Sequence, residues 1–211
     1  GGAPRAGVIR TIENNQIRNT VRMAIYLGYI RDVTITGNTI AETGTVGSPV
    51  HSRAAVLANH KTGDITISNN TVSHSGYIGI RFRYDTLVKN NRVINSCLVL
   101  SDCGAIYIWN GTTETYFNAD GSRTGNAIPL VNSKVMGNIV DGVTGGLDGT
   151  PKNLMRDNGI YLDNFSNGIE VTGNTVVNVS GVGITANNPF SNYIHGNTVY
   201  GASYSQLALV E

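Results

Sequence analysis

The sequence predicts an all-β solenoid of about seven coils, and three observations carry that prediction. One phrase, built on an asparagine among β-branched residues, returns along the chain; a second phrase of alternating apolar residues interleaves with it; strong helix formers are sparse between them. The first phrase reads IENNQI, ITGNTI, ISNNTV, VKNNRV, VMGNIV, VTGNTV and IHGNTV, and sets Asn15, Asn38, Asn70, Asn91, Asn138, Asn174 and Asn197 in equivalent positions. The second reads AIYLGY, AVLANH, GIRFRY, AIYIWN, GIYLDN and GITANN, with QLALVE as a frayed seventh. The shortest intervals are 21 residues, Asn70 to Asn91, and 23 residues, Asn15 to Asn38. A helical repeat of that period would place apolar residues at i, i+3, i+4 and i+7 and favour Ala, Leu and Glu. Here two or three alternating β-branched positions are broken by Asn and Gly, so the elements are strands. A leucine-rich repeat of comparable length needs a recurring leucine framework that these phrases lack.

Composition excludes several classes of function. Charged residues make up 14% of the 211 residues, against roughly 25% in ordinary globular chains, and Gly (26 residues) and Asn are the turn formers. A net charge of +1 with no basic run argues against a nucleic-acid partner. No apolar run approaches the roughly 20 residues that span a bilayer, so no membrane partner is expected. The opening GGAPRAGV has neither Met nor the pattern of a signal peptide; the expectation is one domain over residues 1–211, excised from a longer chain. Cys97 and Cys103 are close enough in sequence to bridge across a turn, and equally suit two small buried thiols.

The N-x-[IV] and G-I-x-[LF] alternation runs from Ile9 to Val210 and resembles that of the pectate-lyase-like superfamily. The resemblance implies a single-stranded right-handed parallel β-helix, in which such asparagines stack as ladders at a tight turn between two sheets. It also implies carbohydrate-active chemistry and an extracellular or secreted protein. The chain would be a monomer, or a homotrimer if it is a tailspike segment.

In a parallel stack each coil lies about 4.8 Å above the last, so equivalent residues form columns. Aligned on its central aliphatic residue, the second phrase gives an inward column of Ile25, Val56, Ile80, Ile106, Ile160 and Ile184, and another of Leu27, Ala58, Phe82, Ile108, Leu162 and Ala186. The outward columns read Tyr26, Leu57, Arg81, Tyr107, Tyr161, Thr185 and Gly28, Asn59, Arg83, Trp109, Asp163, Asn187. Arg81, Arg83, Tyr107, Trp109, Tyr161 and Asp163 should therefore share a patch about 10 Å along the axis. Flat aromatic faces suit sugar rings, and arginine suits a uronate carboxylate or a sulfate. Long insertions flank the same coils, at Asn110 to Ser133 and Asp141 to Asn158, and are expected to wall a cleft. A plainer reading stands beside this one: outward tyrosines pair across strands, arginines stack on them, and the insertions cover both as a minor core.

Two reactions on a polysaccharide fit the expected cleft. In β-elimination a base removes the proton alpha to a uronate carboxylate. Arg81 would neutralise the carboxylate with Arg83, Tyr107 or Tyr161 would act as base or acid, and His60 and Lys61 stand in reserve one coil below. Asn59, Arg83, Trp109 and Asn187 would bind substrate, and the same apparatus would run C5 epimerisation. Hydrolysis instead asks for two carboxyl groups. Asp102 and Asp157 are expected at one turn on neighbouring coils, whereas Asp163 stands seven strand positions from Asp102, too far to pair unless the chain bends. The segments D-x-G-A-I-Y and G-I-Y-L-D nevertheless resemble those of β-helix glycoside hydrolases, which implies Asp102 and Asp163 instead. Turn capping is the plainer role for Asp102 and Asp157, and an ion pair with Arg83 or Arg156 the plainer role for Asp163. His51, His74 and His195 fall far apart in the repeat frame, so no metal site is expected; calcium, used by many lyases of this resemblance, would need Asp157 and Asp163 with Asp102 or Glu114. A non-catalytic carbohydrate-binding module, such as a tailspike or adhesin segment, is the alternative from another class.

Overall fold

A computed structural model describes residues 10–28, 30–45, 54–59, 64–111, 118, 120, 122, 131–145 and 157–210. The chain winds through three strands per coil. In order these are β1 (Arg10–Glu13), β2 (Gln16–Thr20) and β3 (Ile25–Gly28); β4 (Val33–Thr36), β5 (Thr39–Thr43) and β6 (Val56–Asn59); β7 (Ile65–Ser68), β8 (Thr71–Ser75) and β9 (Ile80–Arg81). They continue as β10 (Thr86–Lys89), β11 (Arg92–Ser96) and β12 (Cys103–Trp109); β13 (Lys134–Met136), β14 (Ile139–Val143) and β15 (Asp157–Asp163). The last two coils are β16 (Glu170–Thr172), β17 (Thr175–Val179) and β18 (Val182–Asn187), then β19 (Tyr193–His195), β20 (Thr198–Ala202) and β21 (Ser205–Val210). Every third strand pairs in parallel, giving three seven-stranded sheets. The fold is a right-handed parallel β-helix of seven coils, and QLALV is its last rung.

The repeated asparagine is explained by the turn between the first and second sheets. The residue before it has left-handed backbone, at φ 56° in Asn14, 66° in Gly37, 55° in Asn69 and 65° in Gly137. Asn and Gly reach that region at least cost, which is why the phrase carries NN or GN. The asparagine side chains then form an unbroken ladder: each Nδ2 donates to the Oδ1 of the next coil, from Asn15 through Asn38, Asn70, Asn91, Asn138 and Asn174 to Asn197, at 2.9 or 3.0 Å. The remaining amide hydrogen goes to backbone carbonyls, as from Asn138 to Val88 and Met136.

Between the sheets the inward columns form the core. Ile25 pairs with Val56, Val56 with Ile80, Ile80 with Ile106, Ile106 with Ile160 and Ile160 with Ile184, all buried. Cys97 and Cys103 are joined as a disulfide that closes the corner from the second sheet to the third. Among the described residues no helix is long and apolar enough to cross a membrane.

The outer face of the third sheet departs from the expected exposed surface. Tyr26 on the first coil is 53% exposed, but in the same column Leu57 is 4%, Arg81 9%, Tyr107 8%, Tyr161 6% and Thr185 3% exposed. This face is covered, so β15 is buried at every position, as a sheet packed on both sides requires.

Candidate active site

The predicted registration holds. Arg81 pairs with Tyr107, Tyr107 with Tyr161, and Trp109 with Asp163, so β9, β12 and β15 bring these side chains together on consecutive coils. The Arg81 guanidinium lies 5.6 Å from the centre of the Tyr107 ring, and Arg83 lies 5.6 Å from that of Trp109. Tyr107 meets Tyr161 edge to face, with ring centres 5.5 Å apart. Such pairs contribute about 0.5–1.5 kcal/mol beyond their burial. The stacking of the plainer reading is thus present, and it leaves a cavity beside it.

That cavity has a volume of about 290 Å³, and Tyr77, Arg81, Asp102, Tyr107, Trp109 and Asp163 line it. Asp102 precedes β12 in left-handed backbone, φ 60°, while Asp163 ends β15. Asp102 and Asp163 stand seven strand positions apart in the register, and both line the cavity. Asp102 also neighbours Asp157, which begins β15 opposite Cys103. Asp157 is buried, accepts from Ser101 Oγ at 2.7 Å and from the backbone N–H of Asp102, and does not line the cavity. Burial, then the nearby Asp102 charge, pushes its carboxyl above the ordinary range, against the pull of those hydrogen bonds.

Asp163 is the hub of the far end. Tyr107 donates its hydroxyl to Oδ2 at 2.8 Å, and Asn187 Nδ2 donates to Oδ1 at 3.1 Å. The Tyr161 phenol also bonds to Asp163. Asn187, expected to bind substrate, therefore positions Asp163 and also holds Asn164, at 3.0 Å. Of the two arginines that the plainer reading pairs with Asp163, Arg83 lies over the Trp109 ring and Arg156 lies outside the described residues.

The phenols are held protonated. Burial raises Tyr77, Tyr107 and Tyr161 far above the ordinary value for tyrosine, and the negative charge of Asp163 adds to the rise at Tyr107 and Tyr161, as Asp102 does at Tyr77. Of the two roles expected for Tyr107 or Tyr161, base or acid, this environment favours the acid, since phenolate beside a carboxylate in a buried site is disfavoured twice. Both are suited to donate.

Arg81 lines the cavity, and its Nε is one of the buried side-chain atoms that have no hydrogen-bond partner among the described residues. A buried donor left unpaired costs roughly 1–3 kcal/mol, more for a charged group.

Tyr77 was missed from sequence. It stands three residues before Ile80, where the next coils carry Cys103 and Asp157, and its hydroxyl donates to the backbone oxygen of Asp102. The available signal was the aromatic in SGYIGI, which breaks that column. Asn59 ends β6 opposite Gly28, away from the cavity lining. His60, Lys61, His51, Glu114, Arg156 and most of both insertions lie outside the described residues. His74 and His195 fall on different sheets, the latter 3.3 Å from Glu170. Among the described residues no three His, Cys, Asp or Glu side chains gather as metal ligands.

Three parallel sheets wound around one column of aliphatic side chains define the class as a parallel β-helix. In agreement, the chain matches the model of the right handed beta helix region over residues 7–121 and 48–199, and belongs to that family. Neither a curated protein nor a solved structure matches it.

Proposed function

We propose that this cavity binds an acidic saccharide and cleaves it by β-elimination. The observation that carries the reading is the Arg81 guanidinium on a cavity that also holds a half-buried indole and two carboxyl groups. Arg81 pairs with the uronate carboxylate, which lowers the cost of removing the adjacent C5 proton. Asp102, which lines the cavity with Arg81, accepts that proton. The C4–O bond breaks as the C4–C5 double bond forms, and the leaving oxygen takes a proton from Tyr107 or Tyr161. A phenol with a raised pKa is a fitting donor there, because the leaving alkoxide is itself strongly basic.

Hydrolysis is the second reading, favoured by the two acids Asp102 and Asp163 that line one cavity. The disulfide supports an oxidising, extracellular setting.

Incubation with polygalacturonate, alginate and hyaluronan distinguishes these. Elimination yields an unsaturated uronate seen as new ultraviolet absorbance, which Arg81→Ala should reduce at least 100-fold with the fold intact. New reducing ends without that absorbance establish hydrolysis, and binding without either product establishes a non-catalytic module. Full activity in Arg81→Ala overturns the site.

A further inference from the structure

We infer that Tyr77 and Asp157 are positioning residues, which hold the main chain of Asp102 from the coils on either side and thereby place its carboxylate in the cavity. The inference rests on the reading above, in which Asp102 takes the proton, and concerns what keeps that residue in place.

Asp102 needs such support. It is exposed, so packing does little to hold it, and its backbone is left-handed, a conformation that a residue with a side chain keeps only where the surroundings impose it. Both of its peptide groups are engaged. Its carbonyl oxygen accepts the Tyr77 hydroxyl, which comes from the segment between β8 and β9 on the preceding coil. Its N–H donates to the Asp157 carboxylate at the start of β15 on the following coil, and that carboxylate also accepts from Ser101 Oγ at 2.7 Å. The two partners bracket Asp102 along the axis.

Tyr77 also grips the other end of the same corner. Its backbone oxygen accepts the Cys97 N–H at 2.8 Å, so one tyrosine fastens the segment from Cys97 to Asp102 at its first and last residues. Both holding groups are themselves fixed, since Tyr77 is 6% and Asp157 1% exposed, and a side chain locked by its own packing can in turn orient a reacting group. Burial keeps the Tyr77 phenol protonated, so its donor is present throughout the pH range of a kinetic assay. The Tyr77 hydroxyl proton is directed at Asp102, and Asp157 does not line the cavity; each acts through the residue it holds.

The test measures kcat and KM on whichever of polygalacturonate, alginate and hyaluronan the wild-type chain cleaves. Tyr77→Phe keeps the buried ring and removes only the hydroxyl. Its kcat is expected to fall about tenfold or more with KM within about threefold of wild type, since a displacement on the order of 1 Å at the reacting groups suffices for such a loss. Asp157→Ala is expected to behave likewise, whereas Asp157→Asn, which keeps an oxygen for the Asp102 N–H, should stay within a few-fold of wild type. Asp102→Asn alone should lose roughly 100-fold or more. In that background Tyr77→Phe is expected to add nothing, because a residue that acts through the Asp102 carboxylate has no effect once it is gone. Full kcat in Tyr77→Phe, equal losses in Asp157→Ala and Asp157→Asn, or an undiminished Tyr77→Phe loss in the Asp102→Asn background overturns the inference and leaves Asp102 in its role. Wild-type activity in Asp102→Asn, or no cleavage of any of the three polymers, removes the reading of Asp102 and this inference with it.

Discussion

Tyr107 donates its hydroxyl to Asp163 across a single coil step, on a diagonal, since the direct neighbour of Tyr107 is Tyr161 and that of Asp163 is Trp109. The bond joins the aromatic column to the polar one. It orients the Asp163 side chain, and it adds to the burial that keeps the Tyr107 phenol protonated.

Tyr107→Phe separates the two roles. The ring remains against Arg81 and Tyr161, while Asp163 loses one of its donors. A hydrogen bond to a charged group contributes about 1.5–3 kcal/mol, and Asn187 retains part of the network, so unfolding in urea should register a loss near ~1–2 kcal/mol. Loss of a general acid typically costs roughly 10²–10⁴ in rate, and kcat on the acidic saccharide that the wild-type chain cleaves should fall by about 100-fold. A variant that loses stability but keeps kcat makes Tyr107 a structural residue.

The asparagine ladder should weaken unevenly along its length. Asn138 is fully buried; its Oδ1 accepts from the backbone and side chain of Asn91, and its Nδ2 serves Val88, Met136 and Asn174. Asn138→Ala leaves several buried groups unpaired and is expected to cost on the order of 3 kcal/mol or more. Asn15, exposed on the first rung, donates into the ladder and receives nothing from it among the described residues. Asn15→Ala should cost less than about 1 kcal/mol. Equal losses in the two variants, measured by chemical denaturation, would mean that the rungs do not act through their neighbours.

The fold was legible because a solenoid writes its register into the sequence. Equivalent residues recur once per coil, so aligning GIRFRY, AIYIWN and GIYLDN on their central isoleucines was enough to place Arg81, Tyr107 and Tyr161 in one column. The covering of that column was not legible, because burial of an outward face depends on segments that do not repeat. Tyr77 and Asn187 show the same limit. Each lies in the repeat frame, yet what its polar group bonds to is decided by the turn at Asp102 and by the end of β15, where the period gives no information. The states of the tyrosines followed from that burial, and so were equally hidden.

The Cys97–Cys103 bridge closes a short loop whose Cys97 and Asp102 both take left-handed backbone, φ 60°. For residues six apart, loop-closure entropy gives a stabilisation of about 2 kcal/mol. The double variant Cys97→Ala/Cys103→Ala should lose that amount in urea unfolding, and the wild-type chain should titrate no thiols in denaturant until a reductant is added. Thiols that titrate without reduction would show that the pair is open in solution.

Asp157 gives the chain a pH dependence of definite sign. Its carboxyl is raised in the folded state, first by burial and then by the charge of Asp102, although Ser101 and the Asp102 N–H oppose the rise. A carboxyl with a raised folded pKa contributes most below its unfolded value, about 3.9, and that contribution is lost as pH rises through the folded value. Asp157→Asn keeps an oxygen for Ser101 and for the Asp102 N–H but carries no charge to bury. The stability of the variant relative to wild type, followed by urea unfolding from pH 3 to pH 8, should therefore move in favour of Asn as pH rises through the carboxylate range and then level off. Because Ser101 precedes Asp102 directly, the same substitution should leave the Asp102 turn in place and activity within a few-fold of wild type. A gap that stays flat across the range, or one that moves in favour of Asp, would mean that the hydrogen bonds from Ser101 and Asp102 outweigh burial and hold the carboxylate ionised.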